Sequence, residues 1–198
     1  MEKERGAKVI AVIALLIAVV GLTVGYAAYS ETLTISGTAT VDPANWDVHF
    51  AYKTGDSLIA TKTGSAAEST APTLTATSVS GFAVVLKAPG DSVTYEFSVK
   101  NTGTLDAKLT TFNMGQITCA PNTSSTISQQ DATNLCNELN YTLTYAGGTA
   151  ITTGETLTKT SGSKDLVLKL EWPSSSTLEV SDDVKVTIGT TTFLYDQA

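Results

Sequence analysis

The sequence predicts an all-β protein: a jelly-roll or immunoglobulin-like antiparallel β-sandwich, preceded by an N-terminal hydrophobic helix. Three observations predict this fold. Apolar residues recur at every second position after residue 31, turn-forming clusters separate those runs, and charged residues make up only 16% of the chain. Ser and Thr supply the missing polarity, and the β-branched Thr suits a pleated strand. Roughly eight or nine short strands with turns between them are typical of a sandwich.

The N-terminal segment has the layout of an export signal. Positive charges within the first eight residues precede an apolar run over residues 9–29. Small residues at the last and third-last positions before a cut allow cleavage after Ala27, which leaves Ala28 as the new N-terminus, or after Ser30. The sequence therefore predicts processing by a signal peptidase close to the start of the first strand.

An uncleaved transmembrane helix is the alternative, because the apolar run is long enough to span a bilayer. In both cases the preceding positive charges keep the N-terminus in the cytoplasm and send the rest of the chain outside. We expect a signal peptide or membrane anchor over residues 1–27 and a β-sandwich domain over residues 28–198. The predicted location is extracellular or at the cell surface.

Each predicted strand places its large apolar side chains on one face and Thr, Lys or Glu on the other. This alternation is typical of antiparallel sheets that bury one face and expose the other. The first strand carries Leu33, Ile35, Ala39 and Val41 on its apolar face. Later strands carry the sets Trp46, Val48, Phe50 and Tyr52; Val93, Tyr95, Phe97 and Val99; Leu139, Tyr141, Leu143 and Tyr145; Leu166, Leu168, Leu170 and Trp172; and Val184, Val186 and Ile188.

Two segments of the body depart from the strand pattern. The stretch from Ser128 to Glu138 is the one short helix that the sequence predicts. Residues 55–71 are small and polar and are interpreted as a mobile loop. Neither segment is rich enough in Gly or Pro to divide the body into two domains.

Cys119 and Cys136 are the only cysteines, and both follow the export segment. In an oxidising exterior such a pair is expected to form a disulfide, which here would fasten the predicted helix to the sandwich. Two free thiols are the alternative. A metal site is not predicted, because the sole histidine, His49, lies far away in the sequence.

The sequence predicts no catalytic or cofactor site. A Ser-His-Asp triad would have to use His49, which alternates with Val48 and Phe50 and is expected to face solvent or a loop. Two carboxylate pairs, Asp182 with Asp183 and Asp47 with Glu31, could suggest a glycosidase, but the first is interpreted as a turn. No zinc helix or nucleophile elbow motif occurs.

Two further binding chemistries are also not expected. A sugar-stacking platform could use Trp46 and Trp172, but each shares the parity of its apolar neighbours and is predicted to pack in the core. Nucleic acid is excluded as a partner, because the net charge is -7 and no basic patch exists beyond the export segment.

Two stretches resemble the TasA/camelysin family of secreted Gram-positive proteins. Residues 20–41 read VGLTVGYAAYSETLTISGTATV, a glycine-containing signal end that runs into an alternating strand. Residues 88–109 read APGDSVTYEFSVKNTGTLDAKL. Here a Pro-Gly-Asp turn precedes a strand with aromatic residues, and an Asn-Thr-Gly-Thr loop follows that strand. The end at Tyr195-Asp196-Gln197 is similar to the close of that domain.

This resemblance implies a biofilm-matrix or cell-surface protein whose subunits assemble by donor-strand exchange. The physics of an alternating strand at a free chain end, residues 28–41, independently permits that assembly. The segment between Cys119 and Cys136 departs from fibre-forming members. Some members are labelled metallopeptidases, but this chain has no zinc motif to carry that activity.

We therefore expect a non-catalytic exported structural protein that self-associates into fibres. The alternative is a membrane-anchored adhesion module that binds a glycan or a host surface protein. A third interpretation is a pilin-like subunit cut between Gly6 and Ala7, although no acidic residue lies in the apolar stalk between Glu4 and Glu31.

Overall fold

The computed structural model describes residues 13–17 and 44–198. The chain divides into two compact units, Met1–Asp42 and Pro43–Ala198. In the first unit, helix α1 is described over residues 13–17. No helix in the described ranges is long and apolar enough to cross a membrane. The predicted cleavage point at Ala27 and Ala28 and the predicted first strand, with Leu33, Ile35, Ala39 and Val41, lie outside the described residues.

The second unit is an antiparallel β-sandwich, as predicted. It contains more strands than expected, because several have only two to four residues. The elements are β1 (Val48–Tyr52), β2 (Thr61–Thr63), β3 (Ala67–Thr70), β4 (Thr73–Leu74), β5 (Val79–Ser80), β6 (Ala83–Leu86), β7 (Ser92–Asn101), β8 (Ala107–Asn113), β9 (Ile117–Pro121), α2 (Gln129–Glu138), β10 (Asn140–Tyr145), β11 (Thr156–Leu157), β12 (Gly162–Glu171), β13 (Val184–Ile188) and β14 (Thr192–Gln197).

The strands form two main sheets and two smaller ones. The first sheet has the order β1-β7-β12-β10, with β2 also paired to β7, and the second has the order β3-β6-β13-β9. A third sheet has the order β11-β8-β14, and β4 pairs with β5. Strand β6 pairs with β13 in the second sheet, and β7 pairs with β12 in the first sheet. The β6–β7 and β12–β13 connections therefore pass between the two main sheets side by side, as in a jelly roll.

The core follows the predicted alternation most closely in β7, β12 and β13. Their apolar faces are buried, and each fully buried large side chain stabilises the fold by about 1.5–3 kcal/mol. The buried members of these faces are Val93, Tyr95, Phe97 and Val99; Leu166, Leu168 and Leu170; and Val184, Val186 and Ile188. Trp172, directly after β12, is also fully buried, which confirms the prediction for that tryptophan.

Two sequence-based predictions are wrong. Trp46 is 44% exposed and does not pack in the core. Strand β1 begins only at Val48, so the alternation that holds within the strand does not extend to Trp46. Residues 55–71 are not simply a loop, because β2 pairs with β7 and β3 pairs with β6 within them. Small polar residues concealed these strands, which lie at sheet edges and bury little apolar surface.

Helix α2 occupies the predicted helical stretch. The hydroxyl of Ser128 caps its N-terminus by accepting the Asp131 amide at 3.1 Å. Ala132 and Leu135 are fully buried on the inner face of the helix. Cys119 of β9 and Cys136 of α2 form a disulfide with Cα atoms 5.7 Å apart, so the predicted disulfide is confirmed.

The chain passes from the third sheet into the second at Gly115. This glycine lies between β8 and β9, opposite Gly189, which lies between their partners β14 and β13. A Cβ atom at Gly115 would fall well inside van der Waals distance of the main chain of Gly189 and Thr190. Strands that turn a sandwich corner need such close approach, and glycine permits it.

We expect Gly115→Ala to lower the free energy of unfolding by about 2 kcal/mol, because the main chain at the corner must move apart. Urea unfolding followed by circular dichroism measures this change. Thr118→Ala, an exposed change in the adjoining strand, is the control and should have little effect. Equal stability of the two variants would show that the corner does not depend on close packing.

Candidate interaction surface at the chain junction

The loop between β7 and β8 is hydrogen-bonded to the three residues before β1. We call residues 45–47 the junction and residues 102–106 the clasp loop. The Thr102 amide donates to the Asp47 carbonyl at 2.9 Å, and the Thr104 amide donates to the Asn45 carbonyl at 2.8 Å. The Asn45 amide donates in return to the Thr104 hydroxyl at 2.8 Å. These bonds fix the point at which the N-terminal part of the chain enters the sandwich.

Asn101 holds the clasp loop in shape. Its side chain is buried, and its amide nitrogen donates to the carbonyls of Leu105 at 2.8 Å and Leu157 at 3.0 Å. Its amide oxygen accepts the Gly103 N–H at 3.1 Å. A Cβ atom on Gly103 would collide with the main chain of the junction. The Asn-Thr-Gly motif of the sequence therefore has a defined structural role.

Asp47 links the junction to both neighbouring polar side chains. Its carboxylate accepts from the Thr102 hydroxyl and lies 2.7 Å from Nδ1 of His49. The hydrogen bond from Thr102, and then the one from His49, lower the pKa of Asp47 below its ordinary value. A catalytic triad needs the imidazole between hydroxyl and carboxylate, whereas here the carboxylate is in the middle. The cluster is therefore structural; Glu31, the suggested partner carboxylate, lies outside the described residues.

The lowered pKa of Asp47 predicts a small loss of stability in acid. Because the folded-state pKa lies below the ordinary value of about 3.9, the ionised carboxylate stabilises the fold above that pH and this contribution is lost as pH falls through the folded-state pKa. Asp47→Asn should therefore be less stable than the wild type near pH 7, and the difference should shrink as the pH falls below about 4. Urea unfolding of both proteins across this range measures it; a pH-independent difference would contradict the prediction.

A groove with a mixed polar and aromatic lining lies beside the junction. The junction groove, of about 170 Å³, runs between β1 and β14 and is lined by Trp46, Val48, His49, Phe50, Ala76, Thr77, Val99, Phe193 and Tyr195. The rings of Phe50 and Phe193 meet edge to face at 5.6 Å in its floor. Trp46 and, further along β14, Leu194 are large apolar side chains that stay exposed. The groove thus places the rings of Phe50 and Phe193 beside the exposed Trp46 side chain.

Strand β1 is an edge strand of the first sheet. The Phe50 amide donates to the Ala76 carbonyl at 2.8 Å, so it points away from β7 and already has a partner within the chain. By the alternation of an antiparallel ladder, the main-chain groups of Val48 and Tyr52 also point away from β7. The outward main-chain groups of Val48 and Tyr52, beside the rings of Phe50 and Phe193, form an arrangement that can bind an extended peptide as an added strand.

The Pro-Gly-Asp motif has a structural role, away from the junction groove. Asp91 is 2% exposed, and its carboxylate accepts the amides of Ser65 at 2.7 Å, Lys87 at 2.8 Å and Ala88 at 3.1 Å. The Ser65 hydroxyl adds further hydrogen bonds to the same group. Asp91 thereby joins the β2–β3 loop to the β6–β7 turn.

The remaining carboxylate pair is also structural. Asp182 accepts the amides of Thr126 at 2.9 Å and Asp183 at 2.8 Å. These main-chain hydrogen bonds lower its pKa, the Thr126 bond contributing most. The prediction that Asp182 and Asp183 form a turn is therefore confirmed, and this turn also holds the segment that leads into α2.

A second cleft, of about 720 Å³ and lined mainly by polar residues, lies at the start of β12. Its lining residues are Tyr145, Ala146, Thr149, Glu155, Thr156, Ser163, Lys164 and Asp165. The Lys164 ammonium lies 3.6 Å from the Glu155 carboxylate and 5.1 Å above the Tyr145 ring. The cleft therefore holds an ion pair and a cation–π contact that are partly exposed.

The described residues hold no group of three or more His, Cys, Asp or Glu side chains that could bind a metal ion. Comparison of the chain with protein-family models, with curated proteins and with solved structures gives no match. The resemblance to the TasA/camelysin family therefore stays a prediction from the sequence. The junction, with its groove and edge strand, is the surface best suited to an interaction.

Proposed function

We propose that the protein is a non-catalytic structural protein of the cell surface or biofilm matrix, exported by its N-terminal segment, that self-associates by strand addition. The observation that carries this proposal is the junction groove. It combines the outward main-chain groups of Val48 and Tyr52 in edge strand β1 with the aromatic rings of Phe50 and Phe193. Such a surface fits an extended segment whose alternate side chains are apolar.

The alternating segment over residues 28–41 supplies a partner of that kind. Leu33, Ile35, Ala39 and Val41 would enter the groove of a second copy, while the intervening Thr residues would face water. Because this segment directly precedes the junction of its own chain, each subunit would carry a donor segment and an acceptor groove in sequence. Head-to-tail contacts that do not close into a ring give fibres. This assembly also fits the resemblance to the TasA/camelysin family.

The first experiment is export from a Gram-positive host, followed by the intact mass and N-terminal sequence of the extracellular material. A mature N-terminus at or near Ala28, with species far larger than one subunit, supports the proposal. Deletion of residues 28–41 should abolish these species, whereas Leu194→Ser, an exposed change on β14 outside the groove lining, should not. An intact Met1 and a membrane-bound monomer would contradict self-association.

A membrane-anchored adhesion module is the second candidate, and the cleft at the start of β12 favours it. Its hydroxyl, carboxylate and ammonium groups could hydrogen-bond a glycan. Binding of the exported protein to a glycan array tests this function. Loss of binding in Lys164→Ala, with retention in the exposed Lys159→Ala, would place the glycan in the cleft. An array without any bound glycan would remove this candidate.

A further inference from the structure

Strand β9 is an edge strand of the second sheet and pairs on one side with β13. Main-chain hydrogen bonds at Gln116 and Asn122 continue this ladder by one residue at each end. They show which residues of β9 direct their main-chain N–H and C=O groups toward β13. Thr118 and Ala120 direct their main-chain groups toward β13. The outward-facing residues are Ile117, Cys119 and Pro121. An edge of this kind accepts a further strand unless something covers it.

The segment between β9 and β10 covers this edge. We call residues 122–138 the cover segment, which includes α2. The Gln129 side-chain amide donates to the outward carbonyl of Cys119 at 2.9 Å, and the Cys119–Cys136 disulfide fastens α2 to the same residue. Pro121 adds protection because it has no N–H to offer a new strand. Cys119 on this edge is thus attached to the cover segment by both a hydrogen bond and a covalent bond.

Helix α2 depends on these attachments. It has ten residues, and isolated helices of that length are marginal in water. Its Thr, Asn and Asp residues are weak helix formers. Leu135 and Ala132 pack against the core, and the Thr126 amide bonded to Asp182 holds the start of the segment. The end of α2 is held by the disulfide at Cys136 and by an exposed hydrogen bond from the Ser176 hydroxyl to the Glu138 carboxylate. Loss of the disulfide would leave that end held by packing and this one exposed hydrogen bond.

We propose that the cover segment is a disulfide-controlled closure of the β9 edge, and that opening it lets a β-strand of a second copy add to β9. Opening requires an external dithiol, which gives two electrons and two protons to the disulfide, forms the two cysteine thiols and becomes oxidised itself. The identity of the added strand rests on the proposed self-association. The opening of the cover does not, because it follows from the contacts of α2 alone.

The test is amide hydrogen exchange of the full-length exported protein before and after treatment with dithiothreitol, with the thiol count confirming reduction. We expect exchange across residues 129–138 and at the Cys119 amide to become at least tenfold faster. Amides in the middle of β7 and β12 should not change and are the internal control. Unchanged protection of α2 in the reduced protein would overturn the proposal.

Light scattering of the double variant Cys119→Ser/Cys136→Ser tests strand addition at the opened edge. We expect larger species than for the oxidised wild type, and a return to the wild-type size when Thr118→Lys is added, because a charge on an edge strand opposes strand addition. An open cover without any change in size would refute strand addition at β9. Whether deletion of residues 28–41 abolishes wild-type assembly is measured separately. Failure of the proposed self-association can therefore be distinguished from failure of strand addition at β9.

Discussion

Replacement of Asp91 by Ala is expected to lower the free energy of unfolding by about 4 kcal/mol, the largest effect of any single change that we predict. The substitution leaves the amides of Ser65, Lys87 and Ala88 without their acceptor and removes a side chain that is itself buried. Removing an acceptor from a buried donor costs more than the hydrogen bond itself contributes. Because small domains are stable by only about 5–15 kcal/mol, much of the molecule's stability depends on this carboxylate.

Urea unfolding at neutral pH measures this loss. Asp91→Asn separates shape from hydrogen bonding, since it keeps the size of the side chain but puts an N–H₂ group where one carboxylate oxygen accepts. It should also be destabilising, whereas Asp56→Ala, on an exposed turn, should be close to neutral. Near-neutral behaviour of Asp91→Asn would show that packing rather than hydrogen bonding holds the turn.

Replacement of Asn101 by Ala is expected to cost about 3 kcal/mol, because two carbonyls and one amide lose their partner in the core and a small cavity opens. The carbonyls of Leu105 and Leu157 and the amide of Gly103 are the groups that are left unpaired. Unlike the change at Asp91, this one should also loosen the junction, since the clasp loop contacts residues 45–47. Faster amide exchange at Thr102 and Thr104 would report that loosening.

The control for Asn101 is Asn137→Ala, an exposed position on α2 that should change stability little. Asn101→Asp is the sharper comparison. It keeps an acceptor for Gly103 but sets an oxygen against the carbonyls of Leu105 and Leu157, so it should be at least as destabilising as Ala. A stable Asn101→Asp protein would contradict the role assigned to this side chain.

The central strands could be predicted from the sequence because burial and the period of two coincide in them. In β7 and β12, large apolar residues occupy every second position over most of each strand, and those faces are the core. The helix was predictable for a related reason: Ser128 precedes a polar stretch that ends the alternation. The disulfide followed from counting two cysteines after a predicted export signal.

The parts that could not be predicted depend on pairing between distant segments. Strands β2 and β3 consist of small polar residues, and only their ladders with β7 and β6 make them strands. Trp46 appeared to belong to an alternating run, but that run begins two residues later, at Val48. Asp91 and Asn101 were visible as turn residues, although nothing local indicates that they bind groups tens of residues away. The junction groove was hidden for the same reason, since Phe193 reaches it from the last strand.

The position of β14 has a consequence for when the protein can assemble. One wall of the junction groove comes from Trp46 to Phe50, at the start of the sandwich, and the other comes from Phe193 and Tyr195, within the last six residues of the chain. When a chain crosses a membrane with its N-terminus first, the residues of the first wall cross early and those of the second wall cross late. The donor segment would emerge first and its acceptor last. If the proposed donor segment binds this groove, a chain whose strand β14 has not yet crossed the membrane and folded would lack one wall of the acceptor.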